Sequence, residues 1–140
     1  MGKAVLLNED GSIALVDAPN QGKLSWFYKM LNCHSIEIVR PKGLPEDHVI
    51  IIDDEGKYKK DRYVNFVASW YYQTQEHGDP VVGKALIMKE YWSEDGANIG
   101  GMDEIAAALL MARSEAILPE AFRQIKRRLG NMLRRNDDCG

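Results

Sequence analysis

The chain contains few of the residues that form disulfide frameworks and metal sites. Its 140 residues include only two cysteines and three histidines. Cys33 and Cys139 lie far apart, and Cys139 belongs to a polar terminal segment, so we expect no structural disulfide. A zinc site needs four converging Cys or His ligands, and neither cysteine has such a neighbour at a useful spacing. The sequence therefore predicts no metal and no other cofactor.

Long hydrophobic runs are also missing at the amino terminus. The first apolar run, residues 4–7, ends at Asn8 and is too short for a signal-peptide core or a membrane helix. We therefore expect a cytoplasmic protein without a membrane partner. No internal repeat or low-complexity segment interrupts the chain.

The composition is that of an ordinary globular protein, with 45% hydrophobic and 28% charged residues. Charge is unevenly distributed along it. Residues 1–119 carry 12 Lys or Arg against 18 Asp or Glu, whereas residues 120–140 carry 6 against 3. We expect one compact unit with an acidic core, residues 1–101, and a helical extension, residues 102–140, that ends in a basic segment.

Apolar periodicity predicts the elements of the first half of the chain. Residues 3–7 and 12–16 form strands of a hairpin, because Asp10-Gly11 between them suits a tight turn. Apolar residues spaced by three and four predict a helix over residues 23–32. Strands follow over residues 36–39 and 49–52, and the second is uniformly apolar, which is typical of burial on both faces.

The remaining elements predict an α+β fold. Asn65 is suited to cap a helix over residues 66–75, which His77-Gly78-Asp79-Pro80 ends. A long strand follows over residues 81–92, with turns leading out of it. Asp103 caps a further helix that reaches Leu118, and Pro119 opens a last one. We therefore expect a mainly antiparallel sheet of about five strands, two helices packed on it, and a carboxy-terminal helical hairpin.

Residues 36–102 resemble a known family. The matching segments are IEIVRPKGLP, VIIIDDEGKYKK, VNFVASWYY, HGDPVVGKALIMKE and EDGANIGGMDE. They resemble domain of unknown function 3846, which comprises small proteins of Gram-positive bacteria, their phages and mobile elements. The resemblance implies a location in the bacterial host cytoplasm and supplies no catalytic residues, and the carboxy-terminal helices look like an extension of the shared core.

The sequence contains no recognisable set of catalytic residues. A nucleophile needs an adjacent base that a third group orients, and the sequence offers Ser69, His77 and Asp79 without evidence that they meet. The acidic turn at residues 53–55 lacks the alternating spacing of a calcium loop, which favours a solvated turn. We therefore expect that the protein is not an enzyme.

Binding is the function that the sequence favours. An aromatic and amide-bearing middle helix beside polar turns predicts a pocket for a small polar or nucleotide-like ligand, such as a host defence signal that the protein sequesters. The residues predicted to contact this ligand are Asn65, Ser69, Tyr72, Glu55 and His77.

The alternative is an interaction module that acts through the basic last helix. Its predicted contact residues are Arg123, Lys126, Arg127 and Arg134. They would engage a host protein, a second copy of the chain or nucleic acid, because Lys and Arg neutralise phosphates and acidic surfaces alike. A merely solvated basic face also fits the pattern.

Overall fold

The computed structural model describes residues 2–139, with side chains for residues 2–130. It opens with the predicted hairpin, in which β1 (Gly2–Leu7) pairs antiparallel with β2 (Ile13–Ala18). Gly11 adopts a φ of 94° in the connecting turn, a conformation that glycine reaches without strain. The Asp10-Gly11 signal was therefore interpreted correctly.

Six strands form one antiparallel sheet. The other strands are β3 (Ile36–Val39), β4 (His48–Asp53), β5 (Ala85–Ser93) and β6 (Gly96–Gly100). Their order is β2-β1-β5-β4-β3, and β6 pairs with the second half of β5. The antiparallel sheet is confirmed, with one strand beyond the roughly five predicted.

The strand missing from the prediction is β6, which was interpreted as an exit turn. Two glycines and an asparagine within five residues give it little strand propensity. Glycine is nevertheless required there, because a Cβ on Gly100 would overlap the carbonyl oxygen of Asn20. Gly96, with a φ of 108°, closes the tight β5–β6 turn. Backbone pairing with β5, rather than an apolar pattern, makes this segment a strand.

Helices cover both faces of the sheet. On one face, α1 (Leu24–Leu31) buries Phe27 and Leu31 against the sheet. On the other face lie α2 (Phe66–Tyr71) and the start of α4 (Glu104–Cys139). Successive buried residues of β4 belong alternately to the two opposite core clusters, so its apolar run is buried on both faces as predicted. Three helices thus pack on the sheet instead of two.

The middle helix is shorter than predicted. It ends at Tyr71, Gln73 takes a left-handed φ of 71°, and α3 (Thr74–His77) forms one further turn. Gly78, also left-handed, ends α3 at the predicted breaking point. The predicted strand from residue 81 begins only at Ala85, because Gly83 has a φ of 94° and interrupts the extended backbone.

The carboxy-terminal hairpin is the main difference between prediction and structure. A single helix, α4, spans 36 residues and contains Pro119 in its interior. Asp103 caps it as predicted, accepting a 2.9 Å hydrogen bond from the Ala106 nitrogen. Packing explains why the helix continues through proline, since Ala121 and Ile125 beyond it are completely buried. That burial offsets the lost backbone hydrogen bond. No helix within residues 2–139 is long and apolar enough to cross a membrane.

Candidate functional site

An enclosed polar cleft lies near the end of the middle helix, and Tyr72 is the one predicted contact residue in its lining. It has a volume of about 230 Å³ and adjoins the end of β4, a short 3-10 helix (Gly56–Tyr58) and the segment that follows α3. Its aromatic and charged lining residues are Glu37, Asp53, Asp54, Lys57, Tyr58, Tyr72 and Asp79. We call it the tyrosine cleft.

The turn after β4 shapes one wall of the tyrosine cleft. The buried Asp53 carboxylate accepts a 2.9 Å hydrogen bond from the Glu55 nitrogen and a 2.5 Å bond from Lys59 Nζ. Gly56 lies so close to the backbone of Val82 that a Cβ would overlap the Val82 carbonyl oxygen. These contacts fix the turn against the segment after α3.

Negative charge prevails in this cleft. Asp79 is ion-paired with Lys57, and Asp53 with Lys59. Asp54 accepts a 3.2 Å hydrogen bond from the Ser35 hydroxyl, and Glu37 adds a further carboxylate. The cleft is thus lined by four acidic residues and Lys57, and with Lys59, which is paired with Asp53, these six residues have a formal net charge of about −2.

Tyr72 is the predicted ligand residue that lines the tyrosine cleft. Burial, together with the negative charges of Asp79 and Glu37, raises the pKa of its hydroxyl. The hydroxyl therefore keeps its proton at neutral pH and offers the cleft a hydrogen-bond donor as well as an aromatic wall.

His77 contacts two residues that line the tyrosine cleft. Its Nε2 donates to the Tyr72 carbonyl oxygen over 2.7 Å, and its Nδ1 accepts from the Asp79 nitrogen over 3.0 Å. Its ring meets the Tyr72 ring edge-on, with centroids 5.0 Å apart. His77 thus holds two lining residues in place, while the exposed Glu55 side chain belongs to the adjoining turn.

Asn65 and Ser69 have a different environment from the one predicted. Both are buried and bonded to their own backbone surroundings. Asn65 donates 2.9 Å hydrogen bonds to the carbonyl oxygens of Leu7 and Gly83 and caps α2 through the Ala68 nitrogen. Ser69 Oγ accepts a 2.9 Å bond from the Val81 nitrogen. They hold the fold together and do not line the tyrosine cleft.

The nucleophile and the base that a hydrolytic triad would need are both hydrogen-bonded to backbone groups. Ser69 Oγ is bonded to both backbone groups of Val81. Both ring nitrogens of His77 are bonded to backbone atoms, so His77 is not the base for that hydroxyl. Within residues 2–130, no three His, Cys, Asp or Glu side chains converge as metal ligands.

The predicted interaction residues contribute to a second cleft of about 340 Å³, beside α3 and the middle of α4. It is lined by Gln75, Arg123, Gln124, Arg127 and Arg128, and we call it the arginine cleft. Lys126 lies outside it, with its ammonium 5.2 Å from the centroid of the Phe122 ring. Arg134 lies outside the residues whose side chains the structure describes.

A wider groove of about 850 Å³ runs along the turn of the β1–β2 hairpin. It is open to solvent, and its lining includes Tyr63, Phe66 and Lys84. We prefer the tyrosine cleft as the candidate ligand site despite its smaller volume, because it is more enclosed and its charged groups converge. Convergent polar groups in an enclosed site provide orientation and specificity.

Several lining residues were not among the predicted contacts. They include Lys57 and Tyr58 in the tyrosine cleft, and Gln75 and Arg128 in the arginine cleft. Lys57 and Tyr58 follow the tight Asp53–Gly56 turn. That turn could have predicted that they lie near the end of β4. No local pattern indicates that Gln75 faces α4.

These features define an α+β domain with a six-stranded antiparallel sheet, helices on both faces and an enclosed acidic cleft at one end of β4. The model of the family described as domain of unknown function (DUF3846) matches residues 2–110, and the chain belongs to this family. The match confirms the resemblance seen over residues 36–102 and extends it to the opening hairpin and the start of α4. No curated protein and no solved structure matches the chain.

Proposed function

We propose that this chain is a non-catalytic binding module that holds a small ligand in the tyrosine cleft. The observation that carries the proposal is that four acidic residues and two tyrosines line one enclosed cleft. Carboxylates accept hydrogen bonds, and the Tyr72 and Tyr58 rings supply apolar surface with a polar tip. The cleft therefore favours a neutral or cationic ligand rich in N–H or O–H donors.

The volume of the cleft limits the size of the ligand that it can hold. Sites for drug-sized molecules have volumes of roughly 300–1,000 Å³. The tyrosine cleft, at about 230 Å³, falls below that range. It suits a group the size of a nucleobase, an alkylamine or a guanidinium, with the rest of a larger molecule remaining outside.

The charge of the cleft limits which of the nucleotide-like ligands predicted from the sequence can bind there. A phosphate would meet a net charge of about −2, so like-charge repulsion disfavours it there. A nucleoside-like group remains compatible, because its amino, imino and hydroxyl groups donate to carboxylates. In a phage or mobile element, sequestration of such a ligand would withdraw a defence signal from the host.

Calorimetric titration with matched ligands tests this proposal. The panel consists of guanosine with GMP, adenosine with AMP, and agmatine as a guanidinium-bearing cation. We expect a nucleoside or agmatine to bind in a way that Tyr72→Ala weakens, any such Tyr72-dependent binding of a nucleotide to be weaker than that of its nucleoside, and mass spectrometry to recover the ligand unchanged. Binding of no panel member, or binding that depends on Tyr72 and is tighter for a nucleotide than for its nucleoside, would contradict the proposed ligand class; a chemically altered ligand would contradict the non-catalytic role.

An interaction module acting through α4 is a second candidate. The observation that favours it is the exposure of Ile105 and Leu109, which lie one turn apart and are 75% and 68% exposed. With the basic residues further along α4, they offer a surface to a host protein or to a second copy. Exposed apolar residues that cluster are typical of such contacts.

Point variants test this candidate better than truncation, because deletion of residues 120–140 would also remove the buried Ala121 and Ile125. We expect the double variant Ile105→Asp/Leu109→Asp to lower the molar mass measured by light scattering if the chain self-associates through this surface. A monomeric wild-type protein, or an unchanged mass in the variant, would count against self-association.

A further inference from the structure

The arginine cleft has a charge opposite to that of the tyrosine cleft. Arg123 is bound to Glu120 through two hydrogen bonds of 2.5 and 3.1 Å, so its charge is largely neutralised. Within residues 2–130, neither Arg127 nor Arg128 has a carboxylate within the 4.0 Å of an ion pair. Two guanidinium groups without a carboxylate partner therefore border one concave site.

Two side-chain atoms at this cleft lack the hydrogen bonds that they need. The Arg128 Nε donor and the Gln75 Oε1 acceptor are both shielded from solvent and have no partner in the structure. Buried polar atoms are nearly always paired, because an unpaired one loses its water without compensation. The other end of the Arg128 guanidinium is loosely held, since its hydrogen bond to the Glu76 carbonyl oxygen is 3.4 Å long. This side chain can turn toward an anion.

We propose that the arginine cleft binds the phosphate monoester group of a small molecule. Guanidinium groups bind phosphate oxygens in pairs of parallel hydrogen bonds, and two of them border this site. Gln75 and Gln124 lie in the same lining, where their amide nitrogens donate to the Trp70 carbonyl oxygen and to Glu120 Oε1, so the two arginines are the donors that remain for an anion. A monoester offers three terminal oxygens to these groups, one more than a carboxylate does.

This inference goes beyond the proposed function, because it concerns a different cleft and a ligand of opposite charge. The cleft also includes residues outside the part that the family model matches, since Arg123, Gln124, Arg127 and Arg128 follow residue 110. Phosphate binding is thus a property of the α4 extension rather than of the shared core. Its success or failure is independent of the tyrosine cleft.

Titration of pyrophosphate and AMP into the full chain at low ionic strength tests the proposal. The variants are Arg127→Gln, Arg127→Gln/Arg128→Gln and, as a matched control, Lys126→Gln. The control removes one positive charge from the same helix outside the cleft. We expect the double variant to weaken binding at least about tenfold, the single variant to weaken it less, and the control to retain the wild-type affinity within about twofold.

Three results would overturn the proposal. One is the absence of pyrophosphate and AMP binding to the wild-type protein at millimolar concentration. Another is equal weakening by Lys126→Gln and Arg127→Gln, which would indicate diffuse attraction to the helix surface. The third is tighter binding of a single-stranded oligonucleotide than of AMP, with an affinity that falls steeply with salt, as expected for a nucleic-acid surface. Arg127 is exposed, so its single variant keeps the test valid if the double variant fails to fold.

Discussion

The Asn65 side-chain amide donates a 2.9 Å hydrogen bond to the carbonyl oxygen of Leu7, 58 positions earlier in the chain. A second amide hydrogen reaches Gly83, and the amide oxygen caps α2. One side chain therefore joins the end of β1, the approach to β5 and the start of α2. Because α2 leads directly to Tyr72, the position of the tyrosine cleft depends on these Asn65 hydrogen bonds.

We predict that Asn65→Ala lowers the free energy of unfolding by about 2–4 kcal/mol, because it removes a helix cap and leaves buried carbonyl groups unpaired. Urea unfolding measures this change. The matched control is Asn20→Ala, at an exposed position, which should change stability by less than about 0.5 kcal/mol. Similar changes in the free energy of unfolding for the two substitutions would show that the Asn65 hydrogen bonds do not stabilise the fold.

The continuity of α4 leads to a prediction for Pro119→Ala. Inside a helix, proline costs about 3 kcal/mol relative to alanine, so the substitution should stabilise the protein by about 1–3 kcal/mol. Pro119 is exposed, and its removal sacrifices little packing. If residue 119 instead began the second helix of a hairpin, where proline is favoured, the same substitution would leave stability unchanged or reduce it. Urea unfolding distinguishes the two arrangements.

Local signals in the sequence predicted most of the fold. Asp10-Gly11, Asn65, Asp103 and Gly78 each mark a turn, cap or stop through their own chemistry, and the structure has a boundary at each one. The predicted helix start at Pro119 was wrong, because the burial of Ala121 and Ile125 in one continuous helix outweighs the local preference of proline for a first helical position. β6 was missed because its glycines and asparagine give no apolar strand pattern, and backbone pairing with the neighbouring β5 across a tight turn forms it.

The candidate site was less predictable than the fold. Tyr72 lines the cleft, although it was chosen for its proximity to Asn65 and Ser69, which do not line it. Asn65 and Ser69 were assigned to the ligand because their polar atoms suggested exposure, whereas backbone carbonyl and amide groups distant in sequence bind them. The sequence does not show which backbone groups a buried amide or hydroxyl will meet.

The ion pair between Arg40 and Glu90 predicts a dependence of stability on pH. Hydrogen bonds from the Arg40 guanidinium, at 3.1 and 2.5 Å, lower the pKa of the buried Glu90 below its ordinary value of 4.5. The ionised carboxylate is therefore favoured in the folded state. Its stabilising contribution is complete above the unfolded-state pKa and is lost as the pH falls through the folded-state pKa.

We therefore predict that Glu90→Gln is less stable than the wild-type protein at about pH 7 and that the difference narrows as the pH falls below about 4.5. Urea unfolding across this range measures the difference. Glu46→Gln, which removes an exposed carboxylate, serves as the control. A difference between wild type and Glu90→Gln that stays constant with pH would contradict the ion pair.

Removal of the Tyr72 side chain tests the binding role of the tyrosine cleft most directly. Calorimetric titration of guanosine and of agmatine compares the wild-type protein with Tyr72→Ala, Asp54→Asn and the control Tyr63→Ala, an exposed tyrosine outside the cleft. We predict that at least one probe binds the wild type, that Tyr72→Ala and Asp54→Asn each weaken its binding at least about tenfold, and that Tyr63→Ala leaves it unchanged. Failure of both probes to bind, or equal loss in all three variants, would contradict a ligand site in the tyrosine cleft.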